Sequence, residues 1–152
     1  MKNTFIVNCF FVVVVFFRIS AYAGTSTPVG IWKTVADEGV DKGKATSYVE
    51  IFENSGIYSG RIIRILVGSR NDVCKKCKGA KKGKKLEGLE ILWGLKRQMD
   101  DNEFRGGYIL DPGNGSIYKC TIKILDGGKS LDVRGYIGVP QFGRSQKWYR
   151  VR

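Results

Sequence analysis

The sequence predicts an all-β fold, a single eight-stranded antiparallel up-and-down barrel. Three observations carry this. Runs of β-branched and aromatic residues recur at short spacing along the chain, as half-buried strands require. Clusters of Gly, Pro, Asn and Asp separate the runs, each supplying a backbone angle that a tight turn needs. No stretch after the N-terminal residues holds a helical period without glycine at or inside it, and each interior glycine costs a helix about 1 kcal/mol relative to alanine.

The clearest unit is residues 104–125. Residues 104–110 and Ser116–Leu125 read as two strands joined by Asp111-Pro112-Gly113-Asn114-Gly115. In the second strand Tyr118, Cys120, Ile122 and Ile124 share one face, and Lys119, Thr121 and Lys123 the other, the period of two that puts one face in a core and one in water.

The other elements follow in order. Gly30–Val35 is the first strand, entered through Thr27-Pro28, and residues 37–44 form a polar loop. Residues 46–53 and 57–66 are strands two and three, joined by the turn Glu53-Asn54-Ser55-Gly56. Glu50 and Arg61 each share a face with large apolar groups, so their charged heads are expected near strand ends or in a partly polar cavity. Residues 67–85 are the longest irregular piece. Residues 89–98 fit two periods: Leu89, Ile91, Trp93 and Leu95 alternate, while Leu89, Leu92, Leu95 and Met99 keep helical spacing. Gly88 and Gly94 decide for a fourth strand. Residues 100–103 are a charged loop before the hairpin. Asp126-Gly127-Gly128-Lys129 then turns into the seventh strand, residues 130–138, where Leu131, Val133 and Ile137 oppose Asp132, Arg134 and Tyr136. Residues 140–143 are a loop and 146–151 the last strand. A closed barrel of eight strands either fills with side chains or holds one small ligand, and closure removes exposed sheet edges.

Residues 1–23 read as a cleaved signal peptide. Lys2 precedes an apolar run, residues 5–17, and Ala21-Tyr22-Ala23 is a small-x-small cleavage pattern. The run is shorter than the roughly 20 residues a spanning helix needs, and Cys9 lacks the small neighbours of a lipidation signal. A retained anchor is the alternative, because Arg18 interrupts the region. The reading places the product, residues 24–152, in the periplasm or outside the cell as one domain.

The formal charge of +12 falls to +10 with the loss of Lys2 and Arg18. Seven of those charges are Lys75, Lys76, Lys78, Lys81, Lys82, Lys84 and Lys85, inside the loop 67–85. The basicity is therefore local. Such a loop either is solvated or meets an anionic surface, lipopolysaccharide or acidic phospholipid. Nucleic acid is disfavoured, since the loop has no aromatic on which a base would stack.

Histidine is absent from the sequence, which removes Ser-His-Asp and Cys-His catalysis and every histidine metal site. Asp100, Asp101 and Glu103 read as a solvated turn rather than paired catalytic carboxylates, and no glycine-rich segment sits between a strand and a helix. No catalytic residue, cofactor or metal is expected. Cys74-Lys75-Lys76-Cys77 reads first as a structural disulfide of an oxidising compartment. A redox centre, with thiolate favoured by the flanking lysines, and half of a metal site are the alternatives. Cys120 is left as a buried free thiol.

Several segments together resemble an exported bacterial family known as domain of unknown function 2147. They are Gly30-Ile31-Trp32-Lys33-Thr34, the Cys74/Cys77 pair, Gly106-Gly107-Tyr108-Ile109-Leu110-Asp111-Pro112 with Gly115 and Tyr118, Val133-Arg134-Gly135-Tyr136, and Gln146-Lys147-Trp148-Tyr149-Arg150. The resemblance covers nearly all of residues 24–152. It implies a lipocalin-like (calycin-like) barrel in the bacterial envelope, and no reaction. In lipocalin-like barrels a Gly-x-Trp on the first strand packs with an Arg of the last, and Gly30, Trp32 and Arg150 look like that closure, with Arg152 as an alternative. A guanidinium over an indole contributes about 0.5–2 kcal/mol.

The function expected from these readings is non-catalytic binding of a small apolar or amphipathic molecule, with Tyr118, Ile122, Ile124, Leu131, Val133 and Ile137 as candidate lining. Attachment of the lysine loop to anionic envelope surfaces is the alternative, and thiol–disulfide exchange a third reading.

Overall fold

A computed structural model of the chain describes residues 27–69, 72–100 and 102–151. The expected signal peptide, Asp101 and Arg152 lie outside them. Eight strands, β1 (Gly30–Val35), β2 (Ala45–Asn54), β3 (Ile57–Ile65), β4 (Glu90–Arg97), β5 (Glu103–Asp111), β6 (Ser116–Leu125), β7 (Ser130–Tyr136) and β8 (Gly143–Arg150), pair in sequence order and close into one barrel. Every pairing is antiparallel, and β8 returns to β1 with Trp32 opposite Arg150 and Lys33 opposite Tyr149. Among the described residues the helical turns are three single 3₁₀ turns, Gly79–Lys81, Asp126–Gly128 and Pro140–Phe142.

Alternation sets the inside. Trp32 and Thr34 of β1, Ser47, Val49 and Ile51 of β2, and Cys120, Ile122 and Ile124 of β6 are buried, and their sequence neighbours are not. β4 departs from that rule. Tyr58 of β3 opposes Leu95 and Gly60 opposes Leu92, so β4 spends one residue more than β3, and Glu90 opposite Arg61 adds a second. These two bulges turn Ile91, Leu92 and Leu95 inward together, and Gly94 at φ 76° supplies the positive angle one of them needs. The mixed periodicity of this segment is the signature of a bulged strand, not of a helix.

Glu50 and Arg61 correct one expectation. They are direct cross-strand partners, joined on the barrel's outer face by an ion pair of 2.8 Å. The Arg61 guanidinium also lies 5.4 Å from the Phe52 ring centre. The apolar groups sharing their face are exterior groups covered by the arginine stem, so neither charge reaches the interior.

Alternating turns put the β2–β3, β4–β5 and β6–β7 connections at one end and the β1–β2, β3–β4, β5–β6 and β7–β8 connections at the other. The first end is filled. Trp32, Ile51, Leu95, Phe104, Ile122 and Leu131 are buried there, with Tyr58 edge-on to Phe104 at 4.8 Å. Arg150 lies over the Trp32 ring at 4.1 Å and donates to the carbonyls of Gly128, Val29 and Thr27 at 2.6, 2.8 and 2.7 Å. The Trp32 indole donates to Pro28 O at 2.7 Å. One guanidinium thus ties the lead-in to β1, the β6–β7 turn and β8. Gly30 opens β1 opposite Ile51.

Candidate functional site

The open half of the barrel holds a cavity of about 1380 Å³. Its walls are Ile62, Ile65, Leu86, Ile91, Ile109 and Val133, inward-facing or bulged residues of β3, β4, β5 and β7 and one from the long loop. Trp148 and Gln146 of β8 form its floor, where the indole donates to Gln146 Oε1 at 2.6 Å. The hollowing has a local cause. Gly135 of β7 stands at an inward position on the cavity border, where a Cβ would meet Ile109 and Tyr118 only at ordinary contact distance, whereas the space over Gly60 and Gly107 is taken by Leu92 and Leu95 of β4.

A group of hydroxyls lies at the β1–β2 wall. Thr34 Oγ1 is 2.7 Å from Thr46 Oγ1 and 2.8 Å from Ser47 Oγ, and the Ser47 backbone N–H donates to Thr34 Oγ1 at 3.1 Å. Thr46 is the extra residue where Thr34 pairs with Ser47 and Val35 with Ala45, and that bulge brings its hydroxyl to Thr34. The three satisfy one another, which makes a polar patch in an apolar wall tolerable.

The mouth is built from four loops. On one side Arg144 Nε donates to Asp37 Oδ2 at 2.7 Å, and the same guanidinium also contacts Glu38. The Arg144 hydrogen bonds hold the Asp37 carboxyl below its ordinary range, against the opposing effect of burial. This latch pins the β1–β2 loop to the start of β8. The large side chains of Val40, Ile137 and Phe142 at the mouth are 96, 73 and 84 % exposed, an unusual amount of apolar surface around one opening.

On the other side lies the lysine loop. Cys74 and Cys77 form a disulfide and are both buried. The strap they close packs on the β5–β6 turn: a Cβ on Gly115, at φ 76°, would fall 1.9 Å from Lys76 O and 2.4 Å from Lys76 C. Only glycine permits this approach. The turn is itself held by Asp111, whose Oδ1 accepts from Gly113 N and whose carbonyl accepts from Gly115 N, each at 2.7 Å. Leu110 beneath is 2 % exposed. Past the strap, the Lys81 ammonium sits 4.1 Å over Trp93, which stacks on Tyr108, and it donates to Glu90 O at 2.6 Å. Burial lowers its pKa, with Glu90 acting in the opposite sense. Lys75, Lys76, Lys78, Lys82, Lys84 and Lys85 are exposed.

Of the six residues read as lining, Tyr118, Val133 and Ile137 border the cavity. Ile122, Ile124 and Leu131 do not. They share the inward faces but lie nearer the filled end, where Trp32 and Phe104 occupy the space between opposite walls. Cys120 is a buried free thiol, its pKa pushed up to about 12 by burial, so it offers no thiolate to the disulfide. The hydroxyl group, Gln146 and the Arg144 latch escaped the sequence reading. Ser47, Val49 and Ile51 alternate as inward residues, so Ser47 at least was discoverable.

The family model described as an uncharacterised protein conserved in bacteria, DUF2147, matches residues 30–150. A solved structure of protein HP1028 from the human pathogen Helicobacter pylori, described as belonging to the lipocalin family, aligns with a TM-score of 0.69 at 22% identity, covering 82% of each chain. The fold is therefore lipocalin-like. No curated protein matches the chain.

Proposed function

We propose, for a chain that belongs to the bacterial DUF2147 family, that the barrel is a non-catalytic container for a small apolar or amphipathic molecule in the bacterial envelope. The observation that carries this is the cavity of about 1380 Å³ with apolar walls and an open mouth. Ordinary ligand pockets occupy roughly 300–1000 Å³. The one-ended filling of the barrel supports the same reading, because a rigid floor leaves the loops free to admit cargo. The signal-peptide reading of residues 1–23 supports the envelope as its place of work.

The test is a titration with the neutral probe N-phenyl-1-naphthylamine, whose emission rises in apolar surroundings. Saturable binding is expected, with quenching or enhancement of tryptophan emission through Trp148 at the cavity floor. Gly135→Leu, which projects new bulk into the cavity without a backbone clash, is expected to weaken the probe at least tenfold while leaving the unfolding midpoint near wild type. Unsaturable binding, or binding indifferent to Gly135→Leu, would remove the container.

A second reading is attachment of the same end to acidic phospholipid or lipopolysaccharide. It is favoured by the exposure of six lysines beside the apolar rim of Val40, Ile137 and Phe142. Pelleting with phosphatidylglycerol vesicles that disappears when the six lysines become glutamine would support it. Unchanged pelleting would dismiss it.

A further inference from the structure

We infer that the cargo is an amphipathic anion, with its apolar body in the barrel and a carboxylate or phosphate head held by Lys76 and Lys78 beside the disulfide strap. The inference rests on the container reading and adds the chemical class of what is contained.

A second hollow, of about 370 Å³, lies between the strap and β6, and the residues Leu110, Asn114, Tyr118 and Ile137 border both it and the main cavity. The two are therefore neighbouring compartments with a common wall of four residues. The inner compartment is mostly apolar. The outer one is bordered by Lys78 and Lys81, by Asn114 and Ser116, and by no carboxylate, while Lys76 stands on the border of the inner one. A molecule crossing the shared wall would leave hydrocarbon for positive charge over a short distance. That is the polarity profile of an acid with an apolar tail.

Charge around the rest of the mouth narrows the choice. On the β1–β2 side the three carboxylates Asp37, Glu38 and Asp41 are matched in number by Arg144, Lys42 and Lys44, with Arg144 touching the first two and Lys44 lying 3.0 Å from the third. Among the described residues no carboxylate pairs with Lys76 or Lys78. Asp111 also borders the inner compartment, but six exposed lysines crowd the strap, so the excess charge on that side is positive, next to low-dielectric walls that strengthen its field. Lys81 is already committed to Trp93 and Glu90 O, which leaves Lys76 and Lys78 as the head-group donors. The Gly115 contact fixes the Lys76 backbone, so its ammonium works from a rigid base and less freedom is lost on binding.

The experiment compares dodecanoate, dodecyl phosphate, dodecanol and inorganic phosphate as competitors of N-phenyl-1-naphthylamine, with direct calorimetry for inorganic phosphate. The two acids are expected to displace the probe at concentrations about tenfold below dodecanol, as two charge-assisted contacts at a half-exposed site would give. Lys76→Gln with Lys78→Gln should abolish that preference. Lys123→Gln with Lys129→Gln, an equal loss of charge remote from the mouth, should preserve it. Dodecanol equal to the acids, or a preference that survives the Lys76/Lys78 change, overturns the anionic head and leaves the container standing. Failure of every dodecyl compound to displace the probe overturns the amphipathic cargo, and the container is then decided by the Gly135→Leu titration alone. Inorganic phosphate binding as tightly as dodecyl phosphate would make the lysines a site for the free ion and overturn the amphipath.

Discussion

Gly115→Ala should dislodge the disulfide strap. At φ 76° the alanine needs a backbone conformation that L residues avoid at a cost of about 1–2 kcal/mol. Its Cβ would also sit 1.9 Å from Lys76 O, where contact begins near 3.4 Å, so the strap must retreat by about 1.5 Å. That retreat uncovers Leu110, whose full burial is worth about 1.5–3 kcal/mol. Partial loss of that burial plus the conformational cost gives about 2–4 kcal/mol. Gly127→Ala is the control: its φ is 62° and nothing lies within 4 Å of the new Cβ, so it bears the conformational cost alone, about 1–2 kcal/mol. Urea unfolding at unchanged slope reads both. Gly115→Ala should lose at least 1 kcal/mol more than Gly127→Ala and should also weaken probe binding. Equal losses in the two variants would refute the close packing of strap on turn.

Three other outcomes follow from the same structure. Arg150→Lys keeps the charge but cannot reach three carbonyls in a fork, and should cost about 1–3 kcal/mol in urea unfolding; a change within 0.5 kcal/mol would deny its role in closing the barrel. Cys120, with a thiol pKa of about 12, should resist iodoacetamide at pH 8 in the native state and react promptly in guanidinium, whereas prompt native labelling would contradict its burial. The Asp37 carboxyl has a depressed folded pKa, so the Arg144 latch contributes fully above the ordinary value near 3.8 and is lost as pH falls through the lower folded value. The stability gap between wild type and Asp37→Asn should accordingly be flat from pH 7 to pH 5 and shrink below about pH 4. A gap that widened on acidification would reverse the sign and exclude the latch.

The strands were legible because each needs only its own period and a turn residue at either end. β1 and β6 have the bounds read from sequence, Gly30–Val35 and Ser116–Leu125. β4 is readable as a strand only through its glycines, and its inward residues are not readable at all, since a bulge changes which residues face inward without changing composition. Glu50 and Arg61 looked misplaced until their pairing across β2 and β3 put both outside. The cavity was beyond sequence reading for another reason. Whether a barrel is filled depends on side-chain volume summed across opposite walls, and Ile122 and Val133 have the same pattern although one packs the floor and the other borders the hollow. The strap's seat on Gly115 is likewise a contact between residues far apart in the chain, visible in sequence only as a cysteine pair and a turn.

The container itself is tested most directly by native mass spectrometry of the protein purified from its own cells, before and after denaturing extraction. A discrete added mass of lipid or metabolite size, lost on denaturation and carried by a molecule with one acidic group, is expected. A bare polypeptide mass from gently handled material, together with no saturable uptake of dodecanoate, would contradict it.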